Sequence, residues 1–544
     1  MHLLTFLKAA VGSRHPDAAV ELITGLYGDL DGTLALAAET GADTALVVEW
    51  TDVDSRLGLR SAGGWGPSVE RDIIESSRAQ FARLLDRIAA LAVKVPVALA
   101  GPSLAVRLFG HTTGWHLGAV QAELQLLAAR FLADASRVDN VVVLNPSWLA
   151  EASPAGGRLD AKLELAAGFP YSLAHASVLA EQLARLLYPP AAKKGLITDL
   201  DDTLWAGIVG EVGVGSVKWR LDDHAHGHGL YQQQLKQLAE MGVLLGVVTK
   251  NEPAVVEEAL QLPGLYISKD AFYPVRAGWG QKSQSVGEVL QAWNVGPESV
   301  VFVDDSPMEL DEVQRAFPAI TCLQFPAKHP GQLVELLARV RDLFGKREIQ
   351  AEDALRQASI RANADFAAGA TASGDYLGSL GGRLSMDLRK GSHGRRALEL
   401  INKTNQFNLN GLRVSDGEWR QLLEAPDSVV ATVAYEDKFG PLGVIGVVVG
   451  TLTDATLAIS SWVLSCRAFS RRIEHHTLAY LFARTAAARI TLAYAPTERN
   501  QPLQAFLASL GLGTDMQGAL SLGRDEFEVA VGALPHVVLP DLPG

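Results

Sequence analysis

Short apolar runs alternate with long amphipathic stretches over residues 1–190. The apolar runs, which are typical of buried strands, lie at 44–50, 95–101 and 140–146. Between them are stretches rich in Ala, Leu and Arg, such as 76–92, whose spacing of apolar residues is typical of helices. Strand–helix alternation of this kind predicts βαβ units and a mostly parallel sheet.

The alternation resumes over residues 195–345, after a joint marked by two prolines within 188–195. Two helices are predicted here, at 230–242 and 285–293. The predicted strands of this second domain lie at 195–198, 243–249, 265–268, 299–303 and 319–325. We therefore expect two doubly wound α/β domains in succession, 1–190 and 195–345.

The pattern changes in the last third of the chain. Residues 346–390 combine a charged helical stretch with a segment that contains Gly and Ser, which predicts a connector. In residues 391–544, successive β-type runs precede a helical stretch, which favours an α+β domain over a third doubly wound one. The predicted fold class is therefore α/β, with two doubly wound domains followed by an α+β domain.

Composition narrows the class of protein and of partner. The chain has 544 residues, of which 48% are hydrophobic, and a formal net charge of -13. This charge disfavours nucleic acid or an anionic membrane surface as the main partner. No run approaches the ~18 apolar residues of a membrane span, and two cysteines, Cys322 and Cys466, imply no disulfide framework. We expect a folded cytoplasmic protein, with Cys322 in the core.

Two nearly identical strings raise the question of a phosphoryl-transfer site. Residues 29–34 read DLDGTL, and residues 198–205 read TDLDDTLW. A nucleophilic carboxylate should follow a buried strand, because open α/β sheets bind ligands at the carboxyl ends of their strands. The short apolar run before Asp199 fits this requirement, whereas two glycines interrupt the run before Asp29.

Asp199 also has suitable companions further along its own domain. Thr249 ends a predicted strand, Lys282 enters a predicted helix, and the pair Asp304-Asp305 follows an all-apolar strand. Two buried carboxylates are costly unless a metal or another cation lies near them. We therefore place the chemical site at the second string and interpret the first as a turn and helix start.

This ordered set resembles the four motifs of the haloacid dehalogenase-like (HAD) phosphatase superfamily. The resemblance implies that Asp199 is the nucleophile, which forms an aspartyl-phosphate, and that Asp201 protonates the leaving group and later deprotonates water. It implies that Thr249 and Lys282 stabilise charge on the transferring phosphoryl group. It also implies a Mg²⁺ ion whose ligands are Asp199, the backbone carbonyl of Asp201, Asp304 and, in an assisting position, Asp305.

Longer strings resemble the FkbH-like family of polyketide and related pathways. They are ITDLDDTLWAGIVGEVG, LINKTNQFNL, SWVLSCRAFSRRIE and YAPTERNQPLQAF. In the longer form of that family, an SGNH-hydrolase-like region precedes the HAD domain and a GNAT-like domain follows it. The resemblance implies that 1,3-bisphosphoglycerate loses phosphate, and that its glyceryl unit passes to the phosphopantetheine thiol of an acyl carrier protein.

The same resemblance gives Cys466 the place of a cysteine for which an acyl-enzyme has been proposed. Arg467 and Arg471 follow it, and neighbouring cations lower the pKa of a thiol. We predict that these two arginines bind the phosphopantetheine cofactor. The alternative, that Cys466 simply packs at a strand end, stays open. Ser470 and Arg472 occupy positions where family members often have glycines. Because side chains there obstruct the close approach of a pyrophosphate to the backbone, we do not expect free coenzyme A to bind.

The amino-terminal domain has neither the Gly-Asp-Ser string nor the Asp-x-x-His string of an SGNH hydrolase. We interpret His175 as a helix-face histidine rather than a catalytic base. Residues 47–60 are rich in aromatic, acidic and arginine side chains and are predicted to line a cleft, with docking or scaffolding as the expected role. We interpret the three histidines within 222–229 as a solvated loop rather than a zinc site.

Taken together, the residues and the resemblance predict a Mg²⁺-dependent enzyme. It dephosphorylates a small phosphorylated acid and loads a glyceryl-type unit onto an acyl carrier protein. Two alternatives stay open, a plain small-molecule phosphatase and a carrier-protein docking module with a vestigial phosphatase.

Overall fold

A computed structural model places the chain in two compact units, Met1–Ala191 and Ala192–Gly544. The description covers residues 2–539 except 17, 26–27, 62–65, 107–112, 347–375, 389–394, 405–406, 439, 466–467, 469–470, 498–499 and 514–516.

The first unit is built on a parallel sheet of three strands in the order β1-β2-β3. The strands are β1 Thr44–Val47, β2 Val97–Ala100 and β3 Val141–Val143. The helices are α1 His2–Arg14, α2 Leu30–Thr40, α3 Trp50–Val53, α4 Glu70–Ala92, α5 Ala119–Ala135, α6 Pro146–Ala152, α7 Ala161–Ala167 and α8 Leu173–Leu187.

Alternate residues of β2 belong to two separate cores, one on each face of this sheet. Val97 and Leu99 pack with residues of α4 and α5. Ala98 and Ala100 pack with residues of α8. Side chains alternate between the two faces of a strand, so helices cover both faces of the sheet. The α/β prediction for this part of the chain is confirmed.

The second unit begins with a parallel sheet of five strands in the order β6-β5-β4-β7-β8. The strands are β4 Gly195–Thr198, β5 Leu244–Thr249, β6 Phe272–Ala277, β7 Val300–Asp304 and β8 Thr321–Gln324. The helices are α9 Val209–Val212, α10 His226–Glu240, α11 Pro253–Ala259, α12 Lys282–Trp293, α13 Pro307–Ala316 and α14 Leu333–Phe344.

Strand β4 lies at the centre of this sheet, and the strands that follow it in the sequence lie on both sides of it. β5 and β6 extend the sheet on one side, and β7 and β8 extend it on the other. Residues of α10 and α14 pack on one face, and residues of α12 and α13 pack on the opposite face. This is the predicted doubly wound arrangement, and the point where the strand order reverses is where such sheets bind ligands.

One predicted strand of this sheet, at 265–268, is wrong. The chain there packs Ile267 into the core without forming a strand, and the sheet continues at β6 instead. Pro274 and Arg276 interrupt the apolar pattern of β6, so the sequence does not predict this strand. β6 is an edge strand, and an edge tolerates a proline that has no N–H to donate to a neighbour.

The interpretation of the histidine-rich segment as a solvated loop is also wrong for its second half. Helix α10 begins at His226, and His228 is buried with its Nδ1 3.0 Å from the carbonyl oxygen of Thr203. Gly229 permits a close approach, because a Cβ atom there would lie 2.4 Å from the carbonyl oxygen of Trp219. Close packing therefore outweighs the low helix propensity of glycine at this position.

The remaining sheet has seven strands in the order β14-β13-β12-β11-β10-β9-β15. They are β9 Arg383–Asp387, β10 Ser428–Asp437, β11 Gly440–Thr453, β12 Thr456–Leu464, β13 Arg489–Tyr494, β14 Gly518–Gly523 and β15 Val537–Leu539. The helices are α15 Tyr376–Ser379, α16 Arg395–Lys403, α17 Asp416–Glu424, α18 Ile473–Thr485, α19 Gln501–Ser509 and α20 Arg524–Val531.

This sheet is mixed, which confirms the predicted α+β class. The β12–β13 and β9–β15 pairs are parallel, and the other pairs are antiparallel. β9 lies within residues 346–390, where the sequence predicts a connector. The strand is not evident in the sequence, because it has only five residues of alternating pattern and follows two glycines. None of the described helices has the length and apolar character needed to cross a membrane.

Candidate active site

Three neighbouring strands end at the same edge of the five-stranded sheet, and each brings a polar residue there. Asp199 follows β4, Thr249 is the last residue of β5, and Asp304 is the last residue of β7. β4 pairs in parallel with both of its neighbours, so the three side chains meet at the carboxyl edge. All three are buried, as the apolar runs before them predict.

Helix α12 brings Lys282 to this edge from one face of the sheet. The other end of the helix is fixed by Trp293, whose indole N–H donates a hydrogen bond of 2.6 Å to the carbonyl oxygen of Tyr273. The Trp293 ring lies directly on Gly195, where a Cβ atom would come within 2.4 Å of it. Because Gly195 begins β4 and Lys282 begins α12, this antiparallel packing places the lysine at the far end of the strand.

The ammonium group of Lys282 joins two of the carboxylates. Its Nζ donates a hydrogen bond of 2.6 Å to Oδ2 of Asp304 and lies 3.0 Å from Oδ1 of Asp199. The exposed fractions are 4% for Lys282, 5% for Asp199 and 0% for Asp304. Charges that are buried to this extent are little screened by solvent, so the three groups form one tightly coupled electrostatic cluster.

Burial shifts the ionisation of every carboxyl group in this cluster. It raises the pKa of Asp199 to about 7, with the charge of Lys282 opposing the rise and the charge of Asp304 adding to it. It also raises the pKa of Asp304, against the charge of Lys282. Burial and the charges of Asp199 and Asp202 raise the pKa of Asp305 to about 6.

The lysine responds in the opposite sense. Burial by itself would lower the pKa of Lys282, but the charges of Asp199 and Asp304 outweigh it and the pKa is raised. Lys282 therefore stays charged, and the carboxylates around it outnumber it. A site of this kind favours the binding of a further cation.

Asp305 completes a set of carboxylates that fits a divalent ion. Ligand oxygens of Asp199, Asp304 and Asp305 lie within 4.8 Å of one another, the only such group among the described residues. Oδ1 of Asp199 is buried and, although it is near Lys282, it has no well-aligned hydrogen-bond donor within the described chain. Mg²⁺ is a hard cation that prefers carboxylate oxygens, so these residues fit the predicted ion.

A tight turn after β4 fixes the side chain of Asp201. Its Oδ1 accepts hydrogen bonds from the indole N–H of Trp205 at 2.9 Å and from the backbone N–H of Val209 at 3.1 Å. Its Oδ2 accepts one from the amide of Asn251 at 2.9 Å. Asp202 enters the turn with a φ of 49°, a conformation that Asp tolerates better than most residues. Asp201 is thus held beside the predicted nucleophile.

Trp205 and Asn251 are site residues that the sequence analysis missed. The amide of Asn251 also donates a hydrogen bond of 3.1 Å to Oγ1 of Thr249, so it connects the predicted acid–base group with a predicted charge-stabilising group. The signals in the sequence are weak. Trp205 ends the string TDLDDTLW, and Asn251 lies two residues after Thr249.

We expect Asn251→Ala to slow phosphate release by roughly tenfold, because Asp201 loses a positioning hydrogen bond while the predicted nucleophile, Asp199, is untouched. The effect should fall on kcat rather than on KM. Steady-state kinetics with a phosphorylated substrate and Mg²⁺ measure both constants. Gln261→Ala removes an exposed amide from the same domain and serves as the control. Unchanged kcat in Asn251→Ala would show that Asp201 needs no support from this amide.

Of the three residues predicted to act in the last domain, Cys466 and Arg467 lie outside the described residues. Arg471 is buried, with its Nε 3.4 Å from Oδ2 of Asp437 and its guanidinium 5.6 Å from the ring centre of Tyr435. The side chain of Asp437 is 1% exposed. Binding of phosphopantetheine by Arg471 stays a prediction.

Helix α18, which follows these residues, begins without a glycine. Its N-cap residue, Arg472, has a φ of 59°. The guanidinium of Arg472 donates hydrogen bonds to the carbonyl oxygens of Val531 and Ala533. Arg472 is therefore engaged with the chain itself.

The parallel strands β12 and β13 separate beyond their first residues. Their pairing ends at Ile459 and Leu492. Past this point, the side-chain amide of Asn410 donates hydrogen bonds of 2.8 Å and 2.9 Å to the carbonyl oxygens of Ser460 and Ala493. A segment of the chain itself thus occupies the opening between the two strands.

The first of the two similar strings lies at a helix start, as predicted. Asp29 is the N-cap of α2, and its Oδ1 accepts the backbone N–H of Gly32 at 2.8 Å. Cys322 lies on β8, where it is partly buried and packs against a hydrophobic cluster. Burial raises the pKa of its thiol to about 11.

His175 lies on α8 and is completely buried. Its two ring nitrogens lie 2.9 Å from the hydroxyl oxygens of Ser103 and Ser153. Burial lowers the pKa of His175 to about 4, so the ring is neutral near pH 7. His175 thus joins two buried hydroxyl groups within the core of the first unit.

Comparison with protein-family models finds no match, and comparison with curated protein sequences finds none either. Among solved structures, the chain is similar to the N-terminal part of the protein BF1531 from Bacteroides fragilis, which contains a phosphatase domain complexed with Mg. The identity is 18%, the match covers 63% of this chain and 91% of that chain, and the TM-score is 0.49.

Two acetyltransferase structures match a smaller part of the chain. The ribosomal-protein-S18-alanine N-acetyltransferase from Escherichia coli is 10% identical over 26% of this chain and 93% of its own, with a TM-score of 0.20. A putative acetyltransferase from T. thermophilus is 14% identical over 26% of this chain and 81% of its own, with a TM-score of 0.18. These values are too low to transfer a function, so the functional conclusion rests on the residues of the site.

Proposed function

We propose that the middle domain is a Mg²⁺-dependent phosphatase with Asp199 as its nucleophile, and that the whole chain loads a glyceryl-type unit onto an acyl carrier protein. One observation supports the phosphatase most. The buried ammonium group of Lys282 lies 3.0 Å from Asp199 and 2.6 Å from Asp304 at the carboxyl edge of a parallel sheet. Phosphoryl transfer requires mainly positioning and neutralisation of charge, which such a cluster supplies.

The proposed reaction has two steps, and Asp201 acts in both. First, a carboxylate oxygen of Asp199 forms a bond to phosphorus while the bond from phosphorus to the leaving oxygen breaks, and Asp201 gives that oxygen a proton. Then water attacks phosphorus, Asp201 takes the proton, and the bond to Asp199 breaks with release of phosphate. Thr249 and Lys282 stabilise charge on the phosphoryl oxygens. Mg²⁺, when bound, neutralises further charge on them.

The glyceryl part of the proposal rests on the resemblance to the FkbH-like family. 1,3-Bisphosphoglycerate carries an acyl phosphate and a phosphate ester. A thiolate that attacks the acyl carbon forms a thioester as the bond to the acyl phosphate oxygen breaks and phosphate leaves. Removal of the ester phosphate at Asp199 then gives a glyceryl thioester without phosphate. The attacking thiol is either that of phosphopantetheine or that of Cys466. In the second case, the phosphopantetheine thiol then takes the acyl group from Cys466 and releases the Cys466 thiol.

Intact-mass measurement tests the proposal. The full chain is incubated with 1,3-bisphosphoglycerate, Mg²⁺ and a holo-acyl carrier protein, and free phosphate is measured in parallel. We expect the carrier to gain the mass of one glyceryl group. Phosphate release without this gain would indicate the plain phosphatase, and neither product would indicate the docking module.

Cys466→Ala separates the two routes of the thiol. If Cys466 carries the acyl group, this variant does not load the carrier but still releases phosphate from acetyl phosphate, whose hydrolysis at Asp199 needs no thiol. Unchanged loading would exclude an obligatory role for Cys466. Loading that is lost together with phosphate release would point instead to a folding defect, which circular dichroism detects.

A further inference from the structure

A second cleft opens in the unit Met1–Ala191, at the carboxyl ends of β1 and β2, and the proposed phosphatase chemistry does not use it. It consists of a narrow slot of about 40 Å³ and a wider mouth of about 430 Å³. Thr51, Gly58 and Glu164 line both parts, so the slot and the mouth are continuous. Open α/β sheets bind small molecules at this edge.

The walls of the slot are mainly apolar. They include Trp50, which follows β1, Leu57, and Leu104, which follows β2. The carboxylate of Glu49 also lines the slot, but it already accepts hydrogen bonds from the backbone N–H and the hydroxyl group of Ser103. The slot therefore suits a hydrocarbon group, and Glu49 does not need a ligand to satisfy it.

Glu164 has a buried carboxylate oxygen without a hydrogen-bond donor among the described residues. Its side chain lies on α7 and is 5% exposed, and the oxygen without a donor is Oε2. Burial raises the pKa of Glu164, against the charge of Arg60. A buried carboxylate without a donor costs free energy. A ligand that brings a donor to this position would remove the cost.

The mouth of the cleft favours a positive ligand. Its lining includes the carboxylates of Asp31, Asp52 and Glu164, whereas Arg60 is the only cationic side chain among the described lining residues. Arg87 lies 3.1 Å from Asp31 and compensates part of this charge. The remaining excess of carboxylates repels a phosphorylated acid, so this cleft differs in ligand chemistry from the site at Asp199.

We propose that this cleft binds a small organic cation, an ammonium group attached to a short hydrocarbon chain. The ammonium group donates a hydrogen bond to Oε2 of Glu164, and the hydrocarbon lies in the slot between Trp50 and Leu57. The volume of the slot, about 40 Å³, is that of a few water-sized groups, which limits the hydrocarbon to about three or four carbon atoms.

Saturation-transfer NMR of the full chain with n-butylammonium chloride tests this proposal. Sodium butyrate and n-butanol are the matched probes, because they share the hydrocarbon and differ in the polar group. We expect n-butylammonium to bind and butyrate not to bind. In Glu164→Gln, the dissociation constant for n-butylammonium should rise at least about tenfold, as expected for loss of a hydrogen bond to a charged group.

Thermal unfolding without a probe separates this role from a structural one. If the role of Glu164 is to bind a ligand, Glu164→Gln unfolds at the same or a higher temperature than the wild-type chain, because the charge of a buried carboxylate with an oxygen that lacks a hydrogen-bond donor is removed. Glu151→Gln, an exposed glutamate of α6, is the matched control and should leave both binding and unfolding unchanged. The proposal is overturned if n-butylammonium does not bind, if butyrate or n-butanol binds as tightly, or if Glu164→Gln leaves its affinity unchanged.

Discussion

Phosphate release is expected to fall by at least about 10³-fold when Asp199 is replaced by asparagine, while the fold is retained. The amide is a poor nucleophile and cannot take the phosphoryl group from the substrate. The fold should persist because asparagine has nearly the same shape, and because Lys282 still pairs with Asp304. Release of phosphate from acetyl phosphate in the presence of Mg²⁺ measures the activity, and circular dichroism measures the fold.

The chain contains a matched control for this substitution. Asp29 begins a string that is nearly identical to the one around Asp199, but it acts as the N-cap of α2. Asparagine is as good an N-cap residue as aspartate, so Asp29→Asn should leave both helix and phosphate release unchanged. Equal phosphate release from wild type and Asp199→Asn would refute the assignment of the nucleophile.

The position of the candidate site was predictable because the strands that carry its residues are completely buried. Each apolar run that leads to Asp199, Thr249 or Asp304 permits little but a central strand of a parallel sheet. Parallel strands end at a common edge, so the polar residue after each run had to meet the others there. Burial of carboxylates requires a metal or another cation nearby, but the choice of Lys282 for this role came from the resemblance to the HAD superfamily.

The support of Asp201 was not predictable in the same way. Asn251 reaches it from the end of a different strand, and Trp205 reaches it only because the chain turns tightly at Asp202. Such contacts depend on the conformation of single residues in a turn. The periodicity of the sequence does not record them, and a hydrogen bond between residues 50 positions apart leaves no local pattern.

The sequence does not predict strands β6 and β9, and the cause is the same for both. Each lies at or next to the edge of its sheet. β6 contains Pro274 and half-buried side chains because it is an edge strand. β9 has only five residues, and only Leu384 and Met386 are buried. Strands in such positions bury less apolar surface than central ones, so their periodicity is weaker than that of β4 or β7.

The acidic cleft of the first unit was predictable in part. The composition of residues 47–60 predicted that they line a cleft, and Trp50, Leu57 and Arg60 do so. Glu164 lies more than a hundred positions further along the chain. Its burial follows from the packing of α7, which the sequence pattern does not reveal.

The second large effect is expected at Lys282. Lys282→Met should lower the free energy of unfolding of the region built on the five-stranded sheet by about 3–5 kcal/mol in the absence of Mg²⁺, as is typical when one partner of a buried ion pair is removed. The cost arises because Asp199 and Asp304, at 5% and 0% exposure, lose their only close cation among the described residues. Phosphate release should fall as well, since the phosphoryl group loses a stabilising charge.

Hydrogen–deuterium exchange of peptides that cover β4 and β7 measures this loss at the five-stranded sheet itself, separately from the rest of the chain. Lys269→Met, which removes a partly exposed lysine that pairs with Glu257, is the control and should change protection little. Mg²⁺ should restore much of the protection in Lys282→Met, because a divalent ion can compensate the same carboxylates. If protection of β4 and β7 in Lys282→Met equals that of the wild-type chain without Mg²⁺, the carboxylates do not depend on this ammonium group. The electrostatic basis of the proposed phosphatase would then be wrong.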